Sequence, residues 1–248
     1  MSQDPSFREL HTLYQSLGDV RADFRNYNMY QLLVGMLKGK THLDIGSGAG
    51  HFLYFSKNAG FDVAGIEPNQ DLIDLSRELY GDLHVRSLFA QDLDTIAKRF
   101  DNITLIDVLE HIEDDAATIG KIKKLLEPGG QVIILVPQYP HLYGARDRRI
   151  GHFRRYTRRE LTDKLLSQGF EIITTRTWNL IGYLPYLLSE KLLKREPSVL
   201  PRKTHPVSSG WYWVNKCLDL WFRHVENTIS FGWGLSLIVI AKINEQGD

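Results

Sequence analysis

The sequence predicts an α/β protein built on a doubly wound, seven-stranded, mostly parallel sheet, with a helical insertion before the last strand. Three observations carry this expectation. Short β-rich runs alternate with helix-spaced apolar patterns through most of the chain. The first such run leads into a loop with glycine at alternate positions, Gly46, Gly48 and Gly50. The alternation then breaks after Trp178 and resumes only with a final apolar run.

The predicted strands are Thr41–Ile45, Phe61–Ile66, Leu83–Leu88, Ile103–Ile106, Gln131–Val136, Glu171–Thr175 and Leu235–Ile243. Helices lie between them. Leu72, Leu75 and Leu79 repeat at helical spacing, as do Ile119, Ile122 and Leu126, with Pro128-Gly129-Gly130 expected to end the second helix. Thr157 and Glu160 form a capping box ahead of Leu161, Leu165 and Leu166, in a helix expected to stop at Gly169. Residues 1–38 read as an N-terminal helical cover over part of the ligand cleft, and residues 39–248 as the α/β domain. Within that domain, 181–230 reads as a helical insertion or lid: two apolar segments, Tyr183–Leu193 and Trp211–Ile229, flank a polar link, Glu196–Pro206. A last strand delivered after such an excursion is expected to join the sheet antiparallel.

Bulk composition narrows the function. The 248 residues hold 43% apolar and 24% charged side chains, and 30 basic residues balance 30 acidic ones. No global field therefore points to nucleic acid or to an anionic membrane. A single cysteine, Cys217, excludes an internal disulfide framework and fits a reducing compartment. The polar start, with Asp4, Arg8 and Glu9, is not the pattern of a secretory signal. The longest clean apolar run, Leu235–Ala241, is far shorter than the roughly 20 residues of a membrane-spanning helix. A cytoplasmic protein is expected, with peripheral membrane contact through the insertion left open.

The most informative stretch is Asp44-Ile45-Gly46-Ser47-Gly48-Ala49-Gly50-His51. Glycines let the backbone turn sharply and approach a ligand, and the helix start that follows favours an anionic group. A dinucleotide-binding loop needs G-x-G-x-x-G, and its third glycine would fall at position 51, which is His51. The spacing present is G-x-G-x-G, preceded by an acid.

That pattern resembles the first motif of the class I S-adenosylmethionine-dependent methyltransferases. Four further segments match in register: Ile66-Glu67-Pro68-Asn69, Gln91-Asp92-Leu93-Asp94, Ile106-Asp107-Val108-Leu109-Glu110-His111, and Leu126-Glu127-Pro128-Gly129-Gly130. The resemblance covers roughly residues 41–175 and the last strand, and implies the Rossmann-like methyltransferase fold with S-adenosyl-L-methionine as cofactor. It implies cofactor binding by Asp44, Gly46, Ser47, Gly48, Gly50, Glu67, Asp92, Leu93 and Asp107, with Glu67 accepting the ribose hydroxyls and Asp92 reading the adenine; Asp94 competes for that last role.

Arg146 to Thr157 is dense in arginine and aromatic residues. It resembles the Gly-His-x-Arg-Arg-Tyr segment of a bacterial group, of methyltransferase types 11 and 12, associated with surface-glycan and lipid-linked sugar pathways. Two readings stand: His152 near the acceptor with Arg154 or Arg155 gripping its anionic part, or arginines paired with Asp147 and Glu160. His152, His111 and Asp107 are the candidate catalytic residues. The run Asp107-x-x-Glu110-His111, with His152 beyond, also resembles the metal-binding element of small-RNA 2′-O-methyltransferases and ubiquinone-pathway O-methyltransferases. It departs from that pattern in having Asp107 where glutamate is usual. No metal is therefore assigned. The expected reaction is methyl transfer to an oxygen of a sugar, a lipid-linked glycan or a small metabolite. The alternatives are an N-methyltransferase acting on a small molecule, a non-catalytic S-adenosylmethionine-binding protein and, last, an NAD-dependent oxidoreductase.

Overall fold

The computed structural model describes residues 23–188 and 209–244. Among these, seven strands form one sheet in the order β3-β2-β1-β4-β5-β7-β6. They are β1 (Thr41–Ile45), β2 (Asp62–Ile66), β3 (Val85–Arg86), β4 (Phe100–Ile106), β5 (Leu126–Pro137), β6 (Phe170–Trp178) and β7 (Ser236–Ile243). β1 to β5 pair in parallel, and β7 runs antiparallel to both β5 and β6. The antiparallel last strand follows from the long excursion before it, which brings the chain back to the opposite end of the sheet.

The helices are α1 (Phe24–Val34), α2 (His51–Asn58), α3 (Gln70–Tyr80), α4 (Asp115–Lys124), α5 (Ala145–Arg149), α6 (Arg158–Ser167), α7 (Leu180–Leu187) and α8 (Ser209–Trp221). They cover both faces. On one face Leu43, Ile45, Ile103, Leu105, Ile134 and Val239 pack with Ile119 and Ile122 of α4 and Leu161 and Leu165 of α6. On the other, Ile133, Leu135, Ile238 and Ile240 meet Met29 and Leu33 of α1, Phe52 of α2, and Phe222. Neighbouring residues of one strand thus serve opposite layers, and the central strands read as continuous apolar runs because both faces are buried.

Local chemistry ends the helices where expected at several points. The Thr157 side chain accepts from Glu160 N at 3.1 Å, capping α6, and Gly169 takes φ 79° just past its end. Two expectations need correction. α4 ends at Lys124, and Leu126 already belongs to β5, so Pro128-Gly129-Gly130 lies inside a strand and not at a helix end. Gly129 has φ 75° there, and the β4–β5 register shifts between Phe100 and Asn102. A glycine in a strand commonly marks such an irregularity. The apolar segment expected at Trp211–Ile229 is also not uniformly buried: Val214 and Ile229 are exposed, whereas the polar Asn215 and Glu226 are buried. A π-helical turn at Phe222–Glu226 inserts an extra residue and rotates the face that follows. The link Glu196–Pro206 and the first part of the N-terminal cover lie outside the described residues.

α1 packs on α8, where Asn28 Nδ2 donates to Asp219 Oδ1 at 2.6 Å and Asn227 Nδ2 donates to Asn28 O at 2.8 Å. No helix of the described residues is long and apolar enough to cross a membrane.

Candidate active site

The C-terminal ends of the parallel strands define one edge of the sheet, where ligands of doubly wound folds bind. After β1, the amides of Gly46 and Ser47 both donate to Ile66 O, at 2.8 and 3.0 Å, stitching the glycine loop to the end of β2. Gly46, Gly48 and Gly50 take φ values of 72, 53 and 75°. A Cβ on Gly46 would lie 2.5 Å from Val108 Cγ2, and one on Gly50 would collide with Ser76 Oγ. Backbone sign thus favours glycine at all three positions, and space requires it at Gly46 and Gly50 as well.

Glu67 crosses to this loop. Gly48 N donates to its Oε2 at 2.9 Å, and Asn69 N donates to Oε1 at 3.0 Å. Burial pushes the carboxyl up from its ordinary value, and the two amide bonds oppose that. Each oxygen keeps a further lone pair, so two vicinal hydroxyls can still be accepted. Asp44 is buried beside it and takes a hydrogen bond from Thr104 Oγ1 at 2.5 Å. Burial raises its pKa to about 7, against the Thr104 bond and with the help of the negative charge of Glu67. Beyond β3, Leu93 sinks into the core, while Asp92 is exposed on the 3₁₀ turn Ala90–Thr95. Asp94 is held by Lys121 at 2.8 Å and Lys124 at 3.5 Å. Of the two competing acids, Asp92 is therefore the one left facing solvent without a lysine.

The neighbouring strand ends carry backbone conformations that L-residues rarely adopt: Asp107, just after β4, has φ 53°, and Tyr139, just after β5, has φ 68°. Such residues cost free energy and cluster where a site needs them. Asp107 is exposed to solvent, and desolvation by the protein around it still raises its pKa.

Next to it the fold gathers Glu110, His111 and His152. One ligand atom from each lies within 4.8 Å of the others. The two imidazoles meet edge to face, with centroids 4.6 Å apart. His152 Nε2 sits 3.7 Å from Glu110 Oε1, and its Nδ1 lies 2.8 Å from Asp147 Oδ1. Since an ionised carboxylate only accepts, Nδ1 carries the proton and Nε2 presents its lone pair to the site. Asp147 is suited to that part: burial would raise its pKa, but bonds from His152 and Arg155 bring it down to about 2. Burial, and then repulsion from His152 whenever that ring is protonated, lowers the pKa of His111 to about 4. Glu110 is fully buried, and neither of its carboxylate oxygens accepts a hydrogen bond. Burial first, then the charge of Asp107, pushes its carboxyl far up.

The structure thus brings together two of the three candidate catalytic residues, His111 and His152, beside Asp107. It also corrects the first reading of the arginines. Arg155 Nε donates to both oxygens of Asp147 at 2.9 Å, and its NH2 bonds the Tyr186 hydroxyl of α7. Arg154 pairs with Asp115 at 2.8 Å and donates to Glu113 O at 2.8 Å. Both are spent on internal partners, so gripping an anionic acceptor does not fall to them. Sequence reasoning named Asp147 only as a partner for arginine and overlooked its hold on His152. The signal was its place five residues before that histidine.

A model of the methyltransferase domain family matches residues 22–175. A ubiquinone biosynthesis O-methyltransferase of Alkalilimnicola ehrlichii is 30% identical over 105 residues, which are 40% of this chain and 42% of that protein. One from Coxiella burnetii is 32% identical over 100 residues, 39% of this chain and 43% of that protein. The match thus spans only about two-fifths of the length of these curated relatives. An S-adenosylmethionine-dependent methyltransferase of Thermotoga maritima superposes with a TM-score of 0.64 at 15% identity, covering 96% of this chain and 97% of that one. Another, from Archaeoglobus fulgidus, gives 0.59 at 18% identity, covering 93% and 99%. These solved structures share the fold, a Rossmann-like sheet with flanking helices.

Proposed function

The chain belongs to the class I S-adenosylmethionine-dependent methyltransferases, and from that premise we propose that it methylates a hydroxyl of a small-molecule acceptor, with His152 taking the acceptor's proton. The observation that carries this reading is the orientation of His152. Asp147 fixes its Nδ1 at 2.8 Å, so the Nε2 lone pair is held at the strand ends where the two substrates meet. The acceptor oxygen attacks the sulfonium methyl in line; the C–S bond breaks, its electron pair stays on sulfur, and the hydroxyl proton passes to Nε2. Glu67 and the glycine loop hold the nucleoside, and the buried carboxylate of Asp44 faces the cationic end of the cofactor. Alignment and exclusion of water supply most of the rate. The likeness to ubiquinone biosynthesis O-methyltransferases favours a small hydroxylated metabolite over a sugar or a lipid-linked glycan.

The resemblance of Asp107-x-x-Glu110-His111 to metal-dependent methyltransferases raises a divalent cation. The residues present fit one. Glu110 buries a carboxylate that accepts no hydrogen bond, two imidazoles stand beside it, and Asp147 backs His152 as a carboxylate commonly backs a metal-bound histidine. Glu110, His111 and His152 would hold the ion, His152 through the same Nε2 lone pair that otherwise takes the proton, so the two roles exclude each other; when bound, the ion would supply the Lewis acidity that lowers the pKa of an acceptor hydroxyl in place of that base.

The test is a panel of catechols, phenols, sugars and amines incubated with methyl-labelled S-adenosylmethionine, followed by mass spectrometric location of the label. Methyl on oxygen of a small hydroxylated acceptor is the expected product. Label on nitrogen, or none on any hydroxylated acceptor while amines react, overturns the assignment.

A further inference from the structure

Beneath the glycine loop runs a chain of buried polar side chains that the reaction described above does not use. His42, on β1 two residues before Asp44, is fully buried. Its Nε2 lies 2.8 Å from Thr104 Oγ1 of β4, and its Nδ1 lies 2.9 Å from Ser56 Oγ of α2. Thr104 Oγ1 in turn donates to Asp44 Oδ1 at 2.5 Å. Proton counting sets the direction of every link. A hydroxyl has a single hydrogen, and Thr104 gives its own to Asp44, so it must accept from His42. His42 therefore carries its proton on Nε2, and its bare Nδ1 accepts the hydrogen of Ser56. The donors all point one way: Ser56 to His42, His42 to Thr104, Thr104 to Asp44.

We infer that His42 is a positioning residue for the cofactor: through Thr104 it holds the Asp44 carboxylate ionised and aimed at the cationic end of S-adenosylmethionine. This role rests on the reading of the glycine loop as the cofactor site. Each donation in such a chain polarises the next group, so the bond reaching Asp44 is stronger than a lone threonine would make it. The help is needed. Asp44 is buried with Glu67, just after β2, near it, and both circumstances favour the neutral acid. Among the described residues, those in contact with His42 carry no charge: β4 presents Thr104, and α2 presents Ser56 and the Phe52 ring, whose centroid is 5.3 Å from that of His42. A histidine suits this place because burial keeps it neutral, pushing its pKa down to about 3, so it does not add a positive charge that would compete with the cofactor.

The test has two parts. Nitrogen-15 spectra of the histidine-labelled protein, recorded from pH 5 to 8, should show a neutral His42 throughout, as the Nε2–H tautomer above pH 7, where Asp44 is ionised. The Nδ1–H tautomer above pH 7, or protonation anywhere in that range, overturns the relay without involving any ligand. Calorimetry with S-adenosylhomocysteine then follows affinity over the same pH range for the wild type, His42→Phe, His42→Gln and Thr104→Val. Removing a donor from the carboxylate raises its pKa. His42→Phe and Thr104→Val should therefore bind roughly three- to tenfold more weakly at neutral pH, and their loss of affinity on acidification should begin at higher pH. His42→Gln, which can donate to Thr104 and accept from Ser56, should restore the wild-type curve. Curves for folded His42→Phe and Thr104→Val that superimpose on the wild type reject the positioning role, as does failure of His42→Gln to rescue. Absence of S-adenosylhomocysteine binding by the wild type itself overturns the cofactor reading, and this role with it, whatever the tautomer.

Discussion

Truncating Glu67 separates two duties that the structure gives to one side chain. Glu67→Ala removes the acceptor for Gly48 N, at 2.9 Å, and for Asn69 N, at 3.0 Å, and removes the group that would take the ribose hydroxyls. Hydrogen bonds to a charged group are worth about 1.5–3 kcal/mol, so losing the hydroxyl contacts should weaken S-adenosylhomocysteine about ten- to a hundredfold. The fold itself should suffer less. Burial disfavours the Glu67 carboxylate in the free protein, which offsets part of what the two amide bonds contribute. The assay is calorimetry with S-adenosylhomocysteine and with its 2′,3′-dideoxy analogue, alongside thermal melts. The analogue has no hydroxyls to lose, so its affinity should fall only through the loosened Gly48 amide, less than about fivefold. An equal loss for both ligands would refute the ribose role and leave Glu67 as a brace for the loop.

Three other outcomes are expected. Gly50→Ala should abolish S-adenosylhomocysteine binding, because φ 75° disfavours an L side chain by about 1–2 kcal/mol and the new Cβ collides with Ser76 Oγ; adding Ser76→Ala should recover only part of the affinity, and full recovery would mean that space alone matters. His152→Ala should lower kcat by roughly 10²–10⁴ while S-adenosylhomocysteine affinity holds. The same cluster is checked by manganese titration followed by electron paramagnetic resonance, with the ion expected on the wild type and absent from Glu110→Gln, and by loss of activity in EDTA that Mg or Mn restores. Stability should also depend on pH through His42: its folded pKa of about 3 lies below the unfolded 6.5, so its contribution is lost as pH falls through that window, at up to about 1.4 kcal/mol per pH unit. Asp44, raised to about 7, opposes this, since the native state there binds a proton that the unfolded chain does not. Urea midpoints of His42→Gln should therefore gain on the wild type between pH 7 and pH 5, and parallel changes would contradict the linkage.

Local patterns by themselves determined the sheet class, the glycine loop with the helix that follows it, and the start of α6, because these rest on short-range physics. Gly46, Gly48 and Gly50 announce a backbone that must turn left-handed, and Thr157 with Glu160 caps a helix without any help from afar. Strand ends were less legible: β5 begins at Leu126, where helical spacing suggested the last turn of α4, and only pairing with β4 settles it. Tertiary structure alone decided how the charged groups are used. Whether Arg155 binds a ligand or Asp147 depends on α7 folding back to bring Tyr186 against it. Glu110 and His111 acquire His152, 41 residues beyond His111, as a partner only because the chain after β5 returns past the end of β4, where Phe153 N donates to Glu110 O. His42 gave no signal in the sequence, since a lone histidine within a strand becomes a relay only when β1, β4 and α2 stand side by side. Propensity and capping act over three or four residues, whereas electrostatics and hydrogen-bond direction depend on distances that only the packed chain defines.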